Sequence, residues 1–364
     1  MIGLLWLCVG LLGAAGPVFE TGVAAPTKDK PQSKLWFAGV TWWAWMPSAD
    51  GSVLWRRGAD GWERREDLRD ALRGLPGQAD VWASGNDVAA VLVEKKRLAF
   101  VRARLVGGKY VVVGKPAVFA LGSATETATV VRDGGGRWWI AYNERRRMWV
   151  RSSADGERWA DAVEVSVDAA AEDDICAIAA LPDGVGVIWS DQAADAVLFR
   201  FHGTKWGSVE TVARGNKTAD DHFNSALAAD GRLFVATKNS LDTVGEAQLV
   251  LRVRDTDGKW TNYPYARRTA EVEPSRPIAL MGWGRLYLLH SVYRPKGLAG
   301  YVAIQSTGIG ELRVDGEASP LIAADGVPVN NVTGSKAALP TRVPWIVLAS
   351  DDKGRVYEGE IPRR

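Results

Sequence analysis

Short apolar or alternating runs, each cut off by a turn signal, recur along the whole chain, and none carries the 3.6-residue period of an amphipathic helix. The clearest case is 219–260, ADDHFNSALAADGRLFVATKNSLDTVGEAQLVLRVRDTDGKW. It predicts four consecutive strands: NSALAA, then RLFVAT after the turn Asp230-Gly231, then LVLRVR, then a last strand opening at Trp260 after Asp255–Gly258.

The rest of the chain repeats this unit. Aligned on the start of the first strand, the copies begin at Lys34, Asp80, Thr127, Asp174, His222, Arg276 and Asn331, with spacings of 46, 47, 47, 48, 54 and 55 residues. Second strands follow as VTWWAWM, VAAVLVE, RWWIAYN, GVGVIWS, RLFVATK, RLYLLHS and PWIVLAS. A fourth strand opens on an aromatic residue at Trp62, Tyr110, Trp159, Trp206 and Trp260. The seventh copy shows no fourth strand of its own, and residues ahead of Lys34 are candidates to supply it. The expected fold is therefore all-β: a seven-bladed β-propeller of four-stranded antiparallel blades, with a six-bladed sialidase-like arrangement as the alternative. The two longest spacings reflect insertions at 241–247 and 293–300, expected on one face.

Composition narrows the function classes. The chain has 364 residues, 47% hydrophobic and 24% charged, which is enough apolar material for a large core. A net charge of +2 without basic or acidic blocks gives no bulk attraction for nucleic acid. The 17 tryptophans suit half-buried pleated surfaces and are assigned mainly to blade packing. Of the two cysteines, Cys8 lies in the N-terminal apolar run and Cys176 in an apolar strand, where it reads as a small buried hydrophobe. Residues 2–15 are a short run for a membrane span and match the apolar region of a signal peptide, with an uncleaved N-terminal anchor as the alternative. The expected organisation is a signal peptide over 1–25 with cleavage near Ala25, a polar linker over 26–32 and the propeller over 33–364. A secreted, periplasmic or cell-surface monomer follows, with no membrane span after cleavage.

The first strand of a blade lines the central channel, so the repeat alignment is also a statement about space. Lys34, Asp80, Glu126, Asp173, Asp174, Asp221, His222, Arg276 and Asn331 are expected to form a polar ring at one mouth, the concavity expected of a ligand site. His222 is the sharpest candidate, because a neighbouring carboxylate such as Asp221 sets its tautomer and suits proton transfer. The candidate catalytic set is His222, Asp221 and Asp174, and the candidate ligand-binding set is Lys34, Asp80, Glu126, Asp173, Arg276 and Asn331. No cofactor is required, although Asp80, Glu126, Asp173 and Asp174 offer the hard oxygens that suit Ca²⁺. The three histidines carry no zinc spacing, and no phosphate-binding loop or nucleophile elbow occurs.

RSSADGERWADAVEV at 151–165 resembles the Asp-box of sialidase-type propellers, through Ser153, Asp155, Gly156 and Trp159. In that motif the Asp caps a hairpin between the third and fourth strands, away from the funnel mouth. Over residues 33–358, the stretches ADDHFNSALAADGRLFVATKNS, EDDICAIAALPDGVGVIWSDQ, SRPIALM and NNVTGSKAALPTRVPWIVLASDDKGRVY look like secreted bacterial BNR/sialidase-like propellers. The resemblance implies a secreted seven-bladed propeller and carries no fixed activity. True sialidases use an early Arg-Ile-Pro element, which does not occur near the start of this chain, and an Arg triad, for which the few candidates able to reach the funnel are Arg276 and Arg294. Related propeller lyases work with His and Tyr at the funnel, parts that His222 with Tyr293 or Arg276 would take. The expectation is a propeller that binds a glycan or other extracellular ligand at the funnel without sialidase chemistry. The alternatives are a glycoside hydrolase or polysaccharide lyase using the same funnel, and a protein-interaction scaffold.

Overall fold

The structure is a computed structural model that describes residues 16–28, 30, 33–166, 171–294, 298–337 and 343–363. The apolar run over 2–15, Cys8 and the middle of the 293–300 insertion lie outside the described residues. Seven antiparallel sheets follow one another around the chain, so the seven-bladed propeller is the fold and the six-bladed alternative is not. Blade one runs Leu35–Ala38, Thr41–Ser48, Gly51–Gly58 and Gly61–Arg65, and blades three to six repeat that order. Blade two splits its fourth position: Lys109–Val112 and Ala117–Ala120 pair with opposite ends of the long third strand Arg97–Val106. A four-residue helical turn, Arg69–Leu72, joins blades one and two.

Burial explains why the second strands are apolar on both faces. Thr41–Ser48, Asp87–Glu94 and Gly184–Asp191 are covered along nearly their whole length, because each sheet is sandwiched between its two neighbours. The outermost strands, such as Gly61–Arg65, keep alternate residues in water. Aromatic residues at or just ahead of the fourth strands of blades one to five pack on the preceding blade. Trp159 packs on Phe100 and Phe119 of blade two, and Tyr110 on Trp36 and Trp43 of blade one. Two seams share a further device. Trp62 and Arg57 both hold Glu358, and Trp260 and Arg254 both hold Glu210, each carboxylate belonging to the preceding blade.

The seventh blade is closed from the other end of the chain. Asn330–Thr333, Trp345–Ser350 and Arg355–Ile361 form its inner strands, and Phe19–Glu20 is its outer strand. The propeller thus reaches back to Phe19, ahead of the boundary at 33 expected from the sequence. Thr27, in the stretch expected as a polar linker, is 2% exposed and hydrogen-bonded to Ser350 at 2.6 Å. Where the resemblance to the Asp-box placed a capped hairpin, Asp155 Oδ1 accepts from Glu157 N and Arg158 N at 2.9 and 2.8 Å.

At the axis the first strands are bonded to one another rather than to solvent. Val81 N donates to Ser33 O, Ile178 N to Thr129 Oγ1 and Ala279 N to Asn224 Oδ1. Asp80, fully buried, accepts from Ser33 N at 2.8 Å and Val130 N at 2.7 Å and pairs with Lys336, joining blades one, two, three and seven through one carboxylate.

Candidate functional site

His222 immediately precedes the first strand of blade five, Phe223–Leu227, and follows Asp220 and Asp221. Its Nδ1 lies 2.8 Å from Asp220 Oδ1 and 2.5 Å from Asp221 Oδ1. Both partners are acceptors, so Nδ1 carries a proton, and in the neutral form of the ring the lone pair lies on Nε2. The ring is 9% exposed, and among the described residues Nε2 has no hydrogen-bond partner. Each carboxylate is itself held by a cation: Asp220 by Lys238 at 2.7 Å, with Ser240 Oγ donating at 2.9 Å, and Asp221 by Lys30. Burial works to raise the Asp221 carboxyl. The hydrogen bond from His222 and the charge and hydrogen bond of Lys30 outweigh it and hold Asp221 well below the usual carboxylate range.

Behind this cluster a buried guanidinium sets the loops. Arg252 is 2% exposed and donates to Thr237 Oγ1, Asn262 Oδ1, Thr218 Oγ1 and Asn239 Oδ1 at 2.6–3.1 Å. Thr218 precedes Asp220 by two residues and Asn239 follows Lys238, so Arg252 ties together the two loops that carry the charged cluster. With neutral oxygens as these partners, burial lowers the guanidinium to about 10.

In front of His222, blades six and seven present the same irregularity. The first strand of blade six slips register between Ser275 and Ile278, and that of blade seven between Asn330 and Thr333. Arg276 and Asn331 sit in these bulges at φ +50° and +56°, a region that side-chain-bearing residues seldom occupy. Bulges re-aim a side chain, and here both residues line a nook of about 30 Å³ with Thr27, Lys30, His222 and Asn224. Arg276 lies 5.3 Å over the Tyr293 ring. Burial lowers its pKa, opposed by the charges of Asp221, Asp352 and Asp220.

The ring expected from the repeat alignment divides into three places. His222, Asp221, Arg276 and Asn331 converge as described. Glu126 and Asp173 are exposed and line a separate depression of about 710 Å³ with Arg145, Arg146 and Glu172. Lys34, Asp80 and Asp174 are fully buried and face no mouth. Lys34 Nζ donates to Ala79 O at 3.0 Å. Asp174 accepts from Ala171 N, Gln192 N and Gln192 Nε2, so it caps its own loop, and burial raises its carboxyl against those bonds. Asp174 is therefore not beside His222, and the oxygens of Asp80, Glu126, Asp173 and Asp174 do not converge on one Ca²⁺ position.

Among the described residues, Asp220, Asp221 and His222 have donor atoms within 4.8 Å of one another, as a metal site requires. The ammonium groups of Lys30 and Lys238 already occupy the carboxylates, so the set is built for an imidazole rather than a cation. Sequence reasoning missed Lys30, Thr27, Lys238, Ser240 and Arg252 as parts of the site. A fully apolar strand interrupted by Arg, as in LVLRVR, was the available signal for Arg252. A further groove of about 690 Å³ lies between blades one and two, lined by Lys28, Arg64, Arg65, Arg69, Arg73 and Arg97 among others. Its arginines are paired with acids of the same loops, including Glu66, Asp67 and Asp70.

No family model matches the chain, and no curated protein sequence matches it. Solved structures with a similar chain path include an α-L-arabinofuranosidase of Fusarium graminearum, at 11% identity and a TM-score of 0.48 over 82% of this chain and 99% of that one. An α-L-arabinanase of Penicillium chrysogenum shares 12% identity with a TM-score of 0.46, over 81% of this chain and 98% of that one. A sialidase of Trypanosoma rangeli shares 11% identity with a TM-score of 0.47, over 80% of this chain and 58% of that one. Likeness of this order bears on the path of the chain and not on activity. No helix among the described residues is long and apolar enough to cross a membrane.

Proposed function

We propose that the chain is a carbohydrate-active enzyme whose acid–base group is His222. The observation that carries this reading is an imidazole whose Nδ1–H is clamped by two carboxylates, whose Nε2 has no partner among the described residues, and which lines a nook together with Arg276 and Lys30. A positioned imidazole with a fixed tautomer takes a proton at Nε2 and later returns it, and the two carboxylates stabilise the imidazolium formed in between. Arg276 and Lys30 favour a substrate with a carboxylate or another anionic group next to the abstracted or transferred proton. The nook admits only such a substituent, so the sugar ring itself would rest on the mouth above it.

The test is product analysis by mass spectrometry after incubating the protein with neutral, uronate-bearing and sulfated polysaccharides. Oligosaccharides released by the wild type and absent with His222→Ala, at an unchanged melting temperature, support the reading. Unsaturated ends would assign a lyase, and saturated ends a hydrolase. Release that persists in His222→Ala would overturn the role of His222. Binding without any product would favour the second reading, a non-catalytic glycan-binding propeller, which the small size of the nook motivates.

A further inference from the structure

The stretch ahead of the first blade is built into two other parts of the molecule. Val18 N donates to Val356 O at 2.7 Å, Thr21 N to Gly354 O at 3.0 Å and Ala25 N to Asp351 O at 3.1 Å, extending the pairing of Phe19–Glu20 with the last strand. Phe19 is 8% exposed and stacks on Trp55 of blade one with ring centroids 4.1 Å apart, so it fills the seam between the first and last blades. The turn at Gly354 (φ +85°) accommodates this passage, since a Cβ there would stand 2.8 Å from Val23 O. Beyond it Thr27 bonds Ser350, and Lys30 pairs with Asp221 at the functional nook. Without the N-terminal strand the start of Arg355–Ile361 would be an unpaired edge beside an open seam; Phe19–Glu20 covers that part of the edge with a short outer strand and fills the seam.

We propose that residues 18–30 are a permanent part of the working protein, a latch that closes the ring and at the same time delivers Lys30 to Asp221. Any leader is then cut upstream of Val18 and not near Ala25, since a cut at Ala25 would remove Phe19 from the seam and release the anchor of Thr27 and Lys30. The sequence offers small residues for such a cut at Gly13 and Ala15. The seam claim stands by itself, and the Lys30 claim rests on the proposed role of His222.

Three measurements on the full-length gene product test this. The intact mass of the folded protein recovered from a secreting host is expected to include Val18; a mass that begins at Pro26 would overturn the proposal. Phe19→Ala is expected to lower the melting temperature by roughly 5 °C, as a core truncation does in a chain of this size, and an unchanged value would refute closure of the seam. Lys30→Met is expected to leave the melting temperature near that of the wild type and to move the low-pH limb of activity on an acidic polysaccharide upward by about one pH unit, with Lys30→Arg restoring it. An unmoved limb would refute the delivery of Lys30. If no polysaccharide is turned over, the proposed function fails while the mass and melting results still decide the latch.

Discussion

His290 makes the protein's stability depend on acid in a way that one substitution can remove. It lies in the second strand of blade six, Arg285–Tyr293, and is 3% exposed. Its ring meets Tyr265 at 6.2 Å between centroids, and among the described residues neither its Nδ1 nor Tyr265 Oη finds a hydrogen-bond partner. Burial without a counter-charge lowers the imidazole from 6.5 to about 4. The folded chain therefore keeps His290 neutral where the unfolded chain already binds a proton. The contribution to stability is full above about pH 6.5 and is lost progressively as the pH falls, until the folded form also protonates near pH 4. The interval between the two values, at 1.36 kcal/mol per pH unit, comes to about 3 kcal/mol.

Urea unfolding of the wild type and of His290→Leu at pH 7.5 and 4.5 reads this directly. Carboxylates and the other histidines titrate alike in both proteins, so their common loss cancels. The wild type is expected to lose about 2–3 kcal/mol more than the variant between the two pH values. If both lose the same amount to within about 0.5 kcal/mol, the usual limit of such comparisons, the buried neutral imidazole is not the source and the argument fails.

Two further outcomes follow from groups that the structure places in the core. Asp80→Ala leaves two buried amides, Ser33 N and Val130 N, and the Lys336 ammonium without their acceptor, and is expected to cost about 3–5 kcal/mol in denaturant unfolding, with Asp80→Asn costing less; a loss below about 1 kcal/mol would show that the carboxylate does not tie the blades together. Cys176 is buried and its thiol is pushed far up by burial, so a thiol reagent is expected to label it only after unfolding, whereas rapid labelling of the native protein would contradict an inert core position.

Much of the architecture was legible because it is local. Strand alternation, Asp-Gly turns and an aromatic residue near the start of the fourth strand in five of the copies are written in neighbouring residues, and seven copies spaced 46–55 residues apart predict a seven-bladed ring that buries the blades on two faces. The pairing of His222 with Asp221 was legible for the same reason, since adjacent residues at a strand entry stay close in any fold. The ring of polar residues was not, because equivalent positions in successive blades reach different depths. Lys34 and Asp80 are drawn into the axis by the amides and carbonyls of neighbouring first strands, and only register slips in blades six and seven turn Arg276 and Asn331 toward His222. Lys30 stands 191 residues from Asp221 in sequence and reaches it through closure of the ring. Patterning sets which residues are strands; which of their side chains share a site depends on how the last blade meets the first, and that is decided only when the whole chain has folded.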